Sequence, residues 1–296
     1  MEIKKYFNHI NYWYIAFFVV FILSYSCTVQ QPKIAIDSIP IKTGEIFNGQ
    51  VKKLQLIRLN RGERLFCNEI LMATEKINKD QIEVYIAADR HQESGYYHCE
   101  YRFQENSKKI PLLDYIILDS QYPLTKLSVD KKYSNLSKTD LNRWHQEQAK
   151  LKQVYLNSFN TPRLFENAFQ APLNTKITAH FGNKRIFNDD HHSWHNGVDF
   201  RAKKGTPIAS ANKGKVVLTG SHYFSGNIVI IDHGQGILTL YCHLAKIKVH
   251  EGQLIEQGEI IALSGDTGRV NGPHLHWSVR VNGIWVNGLT LLAIKE

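Results

Sequence analysis

Cysteine is scarce in this chain, four among 296 residues, and acidic side chains are outnumbered, 27 against 36 Lys and Arg, for a net charge of +9. The apolar run from about Tyr12 to Leu23 falls short of the roughly 20 residues a membrane-spanning helix needs. No glycine-rich phosphate loop and no cluster of acids or histidines interrupts residues 33–130, which leaves that region without visible chemistry of its own. Ser264-Gly265-Asp266-Thr267-Gly268 is followed by neither Lys-Ser/Thr nor a helical pattern, which argues against a phosphate cradle there. No glutamate follows His195 or precedes His276 as it would in an HExxH helix. If the chain does acid–base chemistry at those histidines, an imidazole has to supply it.

What is present begins with export. Residues 1–27 open with Lys4-Lys5, continue through the short apolar run and end in Leu23-Ser24-Tyr25-Ser26-Cys27, the layout of a secretory signal closing on a loose lipoprotein-processing box. Three fates are open: acylation at Cys27, retention as an uncleaved anchor, or simple cleavage. Each places the chain outside the cytoplasm, in the periplasm or cell envelope, with the membrane as partner in the first two. The positive charge suits an anionic wall or membrane surface. A nucleic-acid partner would suit the charge but not the export segment.

Residues 33–130 alternate in short segments such as Gln50–Ile57 and Gln81–Ile86 between polar turns, which predicts a β-sandwich-like domain. Cys67 and Cys99 fall in two of its expected strands and, after export, either pair or remain as buried thiols. Residues 131–170 read as a helical connector. Ser137-Lys138-Thr139-Asp140 is a helix-start signal, and Leu141, Trp144, Leu151 and Val154 or Tyr155 recur at helical spacing, predicting an amphipathic helix over 138–158 packed on a domain by its apolar stripe. Residues 171–296 return to short strands punctuated by glycine, among them 214–218, 227–232, 237–243 and 259–263, and predict an all-β domain.

The chemistry concentrates in that last region. Gly272-Pro273-His274-Leu275-His276-Trp277 precedes the hairpin signal Asn282-Gly283, so His274 and His276 share one face of a strand, roughly 6.6 Å apart along the backbone, while Leu275, Trp277 and Val279 anchor the other. Upstream lie His195 and Asp199. Asn196-Gly197 between them can fold His195 back over the strand that carries Asp199. Two imidazoles and a carboxylate with a fourth position for water suit zinc, and the open position is the mark of a catalytic rather than a structural site. Spacing alone leaves open which of His274 and His276 binds the ion. In Leu238 to His243, simple alternation sends Cys242 to the face of Leu238 and Leu240, and Thr239, Tyr241 and His243 to the opposite one. Asn188-Asp189-Asp190-His191-His192 reads as a solvated loop bordering the groove.

Taken together, the HxxxD element at His195 and Asp199, Tyr241-Cys242-His243-Leu244 and the His274-Leu275-His276-Trp277 strand resemble the lysostaphin-type (LytM-like) zinc endopeptidases of bacterial cell walls, over roughly Pro172 to Leu291 and in that family's order. The resemblance implies an antiparallel β-sheet groove, one Zn2+ per chain held by His195, Asp199 and His276, catalytic histidines at His243 and His274, and hydrolysis of peptide cross-links in peptidoglycan. It also admits a non-catalytic relative that binds peptidoglycan or activates an amidase. The N-terminal β domain is similar in arrangement to those of Gram-negative envelope members. Oligomeric state is not written in the sequence.

Overall fold

A computed structural model describes residues 39–103, 108–127, 136–187 and 191–295. The expected export segment and Cys27 lie outside them, and among the described residues no helix is long and apolar enough to cross a membrane. The chain is mainly β. In order, the strands of the N-terminal half are β1 (Lys42–Phe47), β2 (Val51–Ile57), β3 (Glu63–Cys67), β4 (Ile70–Leu71), β5 (Thr74–Lys76), β6 (Gln81–Ala87), β7 (Gly95–Phe103), β8 (Lys109–Leu118) and β9 (Leu124–Leu127). Helix α1 (Lys138–Asn157) follows and closes in a single 3-10 turn, Ser158–Asn160. The C-terminal half contains β10 (Ile177–Ala179), β11 (Lys184–Phe187), β12 (His191–Trp194), β13 (Gly197–Arg201), β14 (Pro207–Ala209), β15 (Gly214–His222), β16 (Gly226–Gly234), β17 (Ile237–Ile247), β18 (Leu254–Ile255), β19 (Ile260–Ser264), β20 (His274–Val281), β21 (Ile284–Val286) and the short α2 (Gly288–Leu292).

The N-terminal half is a pair of facing sheets, as its alternating segments predict. A five-stranded sheet ordered β1-β8-β7-β3-β4 faces a three-stranded one ordered β2-β6-β5. Leu65, Tyr97, Tyr101 and Leu113 from the first meet Leu56, Ile82, Val84 and Ile86 from the second in one buried cluster. Cys67 and Cys99 stand directly opposite each other on β3 and β7 and form a disulfide, which decides between the two readings the sequence left open.

β6 is buried on both faces, and this joins the halves. Its Ile82, Val84 and Ile86 enter the N-terminal cluster, whereas Tyr85 and Ala87, with Val51 of β2, enter the main core beside Phe165, Phe169 and residues of the C-terminal sheet. A second seam is a strand pairing: β9 runs parallel to β11 within the small sheet β12-β11-β9. Contacts accordingly group the described residues of both halves into one compact unit.

The C-terminal half is built on a ten-stranded sheet whose main path is β10-β13-β20-β17-β16-β15-β18. One face carries the main core, including Val198, Phe200, Tyr241, Leu275, Trp277 and Val279. Over part of the other face lies α1, whose Leu151, with Val154 and Tyr155, packs on Leu218, Ile228, Ile230, Leu238, Leu240 and Cys242. The start signal of α1 works as read: Ser137 caps the helix by accepting from the Asp140 amide at 3.1 Å. Its apolar stripe, however, is buried only in the second half. Leu141 is exposed. At the middle of the helix a carboxylate replaces apolar packing, because buried Glu147 accepts from the Tyr223 amide through both oxygens, at 3.1 and 3.0 Å, and from Arg143 at 2.8 Å.

Candidate active site

The site grows from the central pair β13 and β20. In their antiparallel register Asp199 stands opposite His276, and Arg201 opposite His274. Alternation along β20 behaves as read: Leu275, Trp277 and Val279 are fully buried in the core while His274 and His276 emerge on the other face. The hairpin that follows has its expected turn, with Asn282 at φ +48° and Gly283 at φ +81°, both central residues left-handed as a type I′ turn requires. Gly197 begins β13 because nothing larger fits. A Cβ there would lie 2.4 Å from the Trp277 carbonyl and 2.9 Å from the His276 ring.

His195 sits in the two-residue link between β12 and β13. Its backbone is tied on both sides, accepting from the Gly182 amide at 2.8 Å and donating to the Asn183 carbonyl at 2.9 Å. The stretch read as a solvated loop is therefore shaped by pairing. From His191 on it is strand β12, held antiparallel to β11, while positions 188–190 lie outside the described residues. His192 joins no metal-ligating cluster among the described residues.

Three donor atoms converge. His195 Nε2 lies 2.9 Å from Asp199 Oδ1 and 3.0 Å from His276 Nδ1, and His276 Nδ1 lies 2.8 Å from Asp199 Oδ1. The other side of each ring is occupied. His195 Nδ1–H donates to the His180 carbonyl at 2.7 Å, which leaves a lone pair on Nε2. His276 Nε2 is 2.7 Å from Ser278 Oγ, and donation to that oxygen leaves a lone pair on Nδ1. Lone pairs from two imidazoles and a carboxylate aimed at one another repel unless a cation lies between them. Ligands in a tetrahedral site with bonds of about 2.0–2.1 Å stand roughly 3.3 Å apart, so the triangle is near the size a small divalent ion requires. The residues present fit such an ion.

Burial pushes the His195 imidazolium down to about 4, opposed by its hydrogen bond to Asp199, and so keeps the ring neutral, as a metal ligand must be. Burial alone would raise the Asp199 carboxyl, but the hydrogen bonds and positive charge that His195 and His276 offer when protonated toward it, the same place a cation would fill, outweigh burial and hold the group well below the ordinary carboxylate range. The second Asp199 oxygen receives Arg185 Nη2 at 3.4 Å.

His243 reaches the same cleft by a route the strand pattern does not disclose. Between Asn227 and Val229 on β16 the pairing skips from Leu244 to Tyr241 on β17, so β17 carries one extra residue, a β-bulge, with His243 at φ +60°. The bulge turns His243 onto the face of Cys242. The expectation that these two residues point oppositely is thereby overturned, because alternation holds only where the ladder is regular. His243 donates its backbone N–H to the Ser225 carbonyl and its Nδ1–H to the Thr267 carbonyl, each at 2.9 Å. His274 Nδ1–H likewise donates to the Gly272 carbonyl at 2.9 Å. Both rings thus present Nε2 to the cleft, their centroids 4.9 Å apart, and His274 Nε2 lies 3.8 Å from Asp199 Oδ1. Burial, then the neighbouring imidazoles, pushes His243 down to about 3. Cys242, opposite His276 in register, is buried with its thiol pushed up to about 12. Proximity does not make it a nucleophile, which has to be a thiolate.

All five residues named from the sequence, His195, Asp199, His243, His274 and His276, line one cleft of about 570 Å³. So do residues the sequence reading did not select: Arg185, Ser278, and Gln148, Leu151 and Tyr155 of α1. Ser278 was within reach of the period-two rule, lying two residues beyond His276; nothing local signalled that Arg185 or the helix would reach the cleft.

Compared with known families, residues 193–288 match the model of Peptidase family M23. This segment is a peptidase family M23 domain. It contains all five cleft residues. Among characterised relatives, the peptidoglycan DD-endopeptidase ShyA of Vibrio cholerae is 48% identical over 95 residues, 32% of this chain and 22% of that protein. The DD-carboxypeptidase/endopeptidase Mpg of Neisseria meningitidis is 38% identical over 119 residues, 40% of this chain and 27% of that one. The chain thus matches about a quarter of the length of these relatives. Beyond the M23 domain, the crystal structure of a Pseudomonas aeruginosa protein described as a peptidase M23 superposes with a TM-score of 0.64 at 25% identity, over 83% of this chain and 94% of that one. At 83% of this chain, that likeness extends well outside residues 193–288.

Proposed function

We propose that this chain is a zinc-dependent endopeptidase that hydrolyses peptide cross-links of peptidoglycan in the cell envelope, reached through its N-terminal segment. The observation that carries the reading is the triangle of His195, Asp199 and His276 lone pairs beside two further imidazoles that face the same cleft. In this reading the three residues hold one Zn2+, whose two nitrogens and one oxygen suit that ion. Bound there, the ion would act as a Lewis acid and bring a water toward neutrality in acidity. The remaining work belongs to the chain. His243 and His274 have their Nδ1 protons committed to backbone carbonyls, so Nε2 of each is the atom that takes a proton from the attacking water or, when protonated, donates to the tetrahedral oxyanion. Asp199 offsets positive charge between the two ligating rings. Names of relatives such as ShyA and Mpg support peptidoglycan as substrate, and the presence of every residue of the set speaks against a non-catalytic, amidase-activating relative.

Digestion of purified cross-linked wall material with and without chelator, followed by mass analysis, tests this. The expected products have gained one water at a cross-link amide, disappear with chelator and return with added zinc. Intact cross-links under all three conditions, with a folded protein, would sink the proposal.

Access to the cleft is the second part of the reading. Gln148, Leu151 and Tyr155 line the cleft that holds the histidines, and α1 is pinned there by the Glu147 contacts to β15–β16 linker residue Tyr223, by Arg143 Nη2 donating to the Ser221 carbonyl at 2.9 Å and by Tyr155 packed on Trp285 and Arg280. A wall strand longer than the open part of the cleft meets the helix, so α1 limits entry.

A further inference from the structure

Arg185 is a charge in the cleft that the mechanism above leaves unused. It lies on β11 opposite Ser193 of β12, and both line the cleft. Its ion pair with Asp199 Oδ2, at 3.4 Å, is long for a charged pair, which normally closes to about 2.7–2.9 Å. A guanidinium has five N–H donors in a planar fork, and about a fifth of the Arg185 side chain remains accessible from the cleft.

The charge balance of the cleft points the same way. Among the described lining residues Asp199 is the only carboxylate, against Arg185, Arg269 and Arg280. Arg280 is consumed within the fold: it donates to the Gly283 carbonyl and lies over the rings of Tyr155 and Trp285, at 3.8 and 4.8 Å. Arg269 stacks over Phe224 at 4.7 Å. Asp199 Oδ1 belongs to the ligand triangle, so Asp199 neutralises Arg185 only in part, and an ion in the triangle would draw on the same carboxylate.

We infer that Arg185 selects substrates carrying a free carboxylate on a residue flanking the scissile amide, a specificity contact that rests on the hydrolase reading. The fork geometry matches a planar carboxylate with two parallel N–H···O bonds. Arg185 Nη2 is 3.4 Å from one oxygen of the carboxylate whose other oxygen completes the triangle. A group held there lies within about two residue lengths, each at most ~3.6 Å, of the reacting amide. Such a carboxylate has two chemical sources in a cross-linked peptide: the branching residue that supplies the amide nitrogen, when that residue is a diacid, or the free C-terminus of a stem.

The test uses the full chain and synthetic cross-linked peptides in three forms: both carboxylates free, the branching residue amidated, or the C-terminus amidated. For the wild type, amidation at the recognised position should lower kcat/KM about 10–100-fold, the scale of a charge-assisted hydrogen bond. Whichever single amidation does this identifies the source. Arg185→Gln should bring the ratio of free to amidated substrate to about one, and Arg185→Lys should keep part of the preference, since it retains charge without the fork. Indifference of the wild type to both amidations overturns the inference. So does an Arg185→Gln variant that slows all three substrates while the ratio persists, which would make Arg185 only a support for Asp199. If no peptide is cut, calorimetric titration of the same three peptides separates the two claims: a carboxylate preference in Kd that Arg185→Gln abolishes keeps the site and removes the hydrolase reading, and equal or absent binding removes the site.

Discussion

Replacing Leu151 by alanine should make the chain a faster wall hydrolase and a less tightly closed one. Leu151 is the buried anchor of α1, inserted among Leu218, Ile228, Ile230, Leu238, Leu240 and Cys242 on the cleft-side face of the sheet. Truncating a buried leucine costs about 2–5 kcal/mol. If about 3 kcal/mol of that falls on the docking of α1, the equilibrium between docked and undocked helix shifts about 100-fold, at 1.4 kcal/mol per factor of ten. A rate limited by the rare open state should rise by about 10–100-fold and level off once the helix is mostly open. Glu147→Gln, which weakens the paired bonds to the Tyr223 amide and to Arg143, should act in the same direction by a smaller factor. The assay pairs initial rates of wall cleavage with hydrogen exchange of the α1 amides. Faster exchange in α1 of a folded Leu151→Ala protein with no gain in rate would refute the gate. Cutting the chain down to residues 171–296 is a poorer test, because it removes Val51, Tyr85 and Ala87 from the main core and β9 from its partner β11.

The two proposed shells of the site should separate by metal content. His195→Ala, Asp199→Ala and His276→Ala should each lose zinc along with activity, while His243→Ala and His274→Ala should keep it near one per chain and lose about 10²–10⁴-fold in rate; metal analysis beside a peptide-hydrolysis assay reads both, and zinc retained by His276→Ala but lost by His274→Ala would reverse the division. Cys242→Ala, despite lying opposite His276 on the neighbouring strand, should keep most activity, and the wild-type thiol, buried and pushed up to about 12, should resist alkylation until the protein unfolds; abolished turnover in a folded Cys242→Ala protein would contradict the metal mechanism. His233, fully buried between the Lys213 carbonyl and Thr239 Oγ1, is pushed by burial down to about 4 from 6.5. The unfolded chain therefore binds the extra proton between about pH 6.5 and 4, so stability falls as pH drops through that window, by about 3 kcal/mol in all from this one group, and levels off below it. Denaturant unfolding across that range should show a shallower acid slope for His233→Gln, and an unchanged slope would show that His233 is not the group responsible.

Elements governed by near neighbours were legible without a structure. The capping of α1 by Ser137 depends on residues three apart, the turn at Asn282-Gly283 on two backbone conformations, and the shared face of His274 and His276 on the pleat of one strand. The choice of His276 over His274 as the neighbour of Asp199 came only from the family resemblance, and the register of β13 and β20 brings those two together. Long-range matters were decided only by the tertiary fold. Whether His243 points to the cleft depends on one extra residue in β17 relative to β16, a property of two strands in register that neither strand's own alternation contains. Cys67 and Cys99 pair because β3 and β7 bring them opposite each other across 32 positions of sequence. Arg185 came to Asp199 through the hairpin of β11 and β12, and α1, legible as a helix, came to the cleft because the apolar side of its second half is complementary to one patch of the sheet. Local chemistry set which groups could act; contacts between residues far apart in the chain set which of them meet, since a side chain's partners across a sheet are chosen by register and packing and not by its own neighbours.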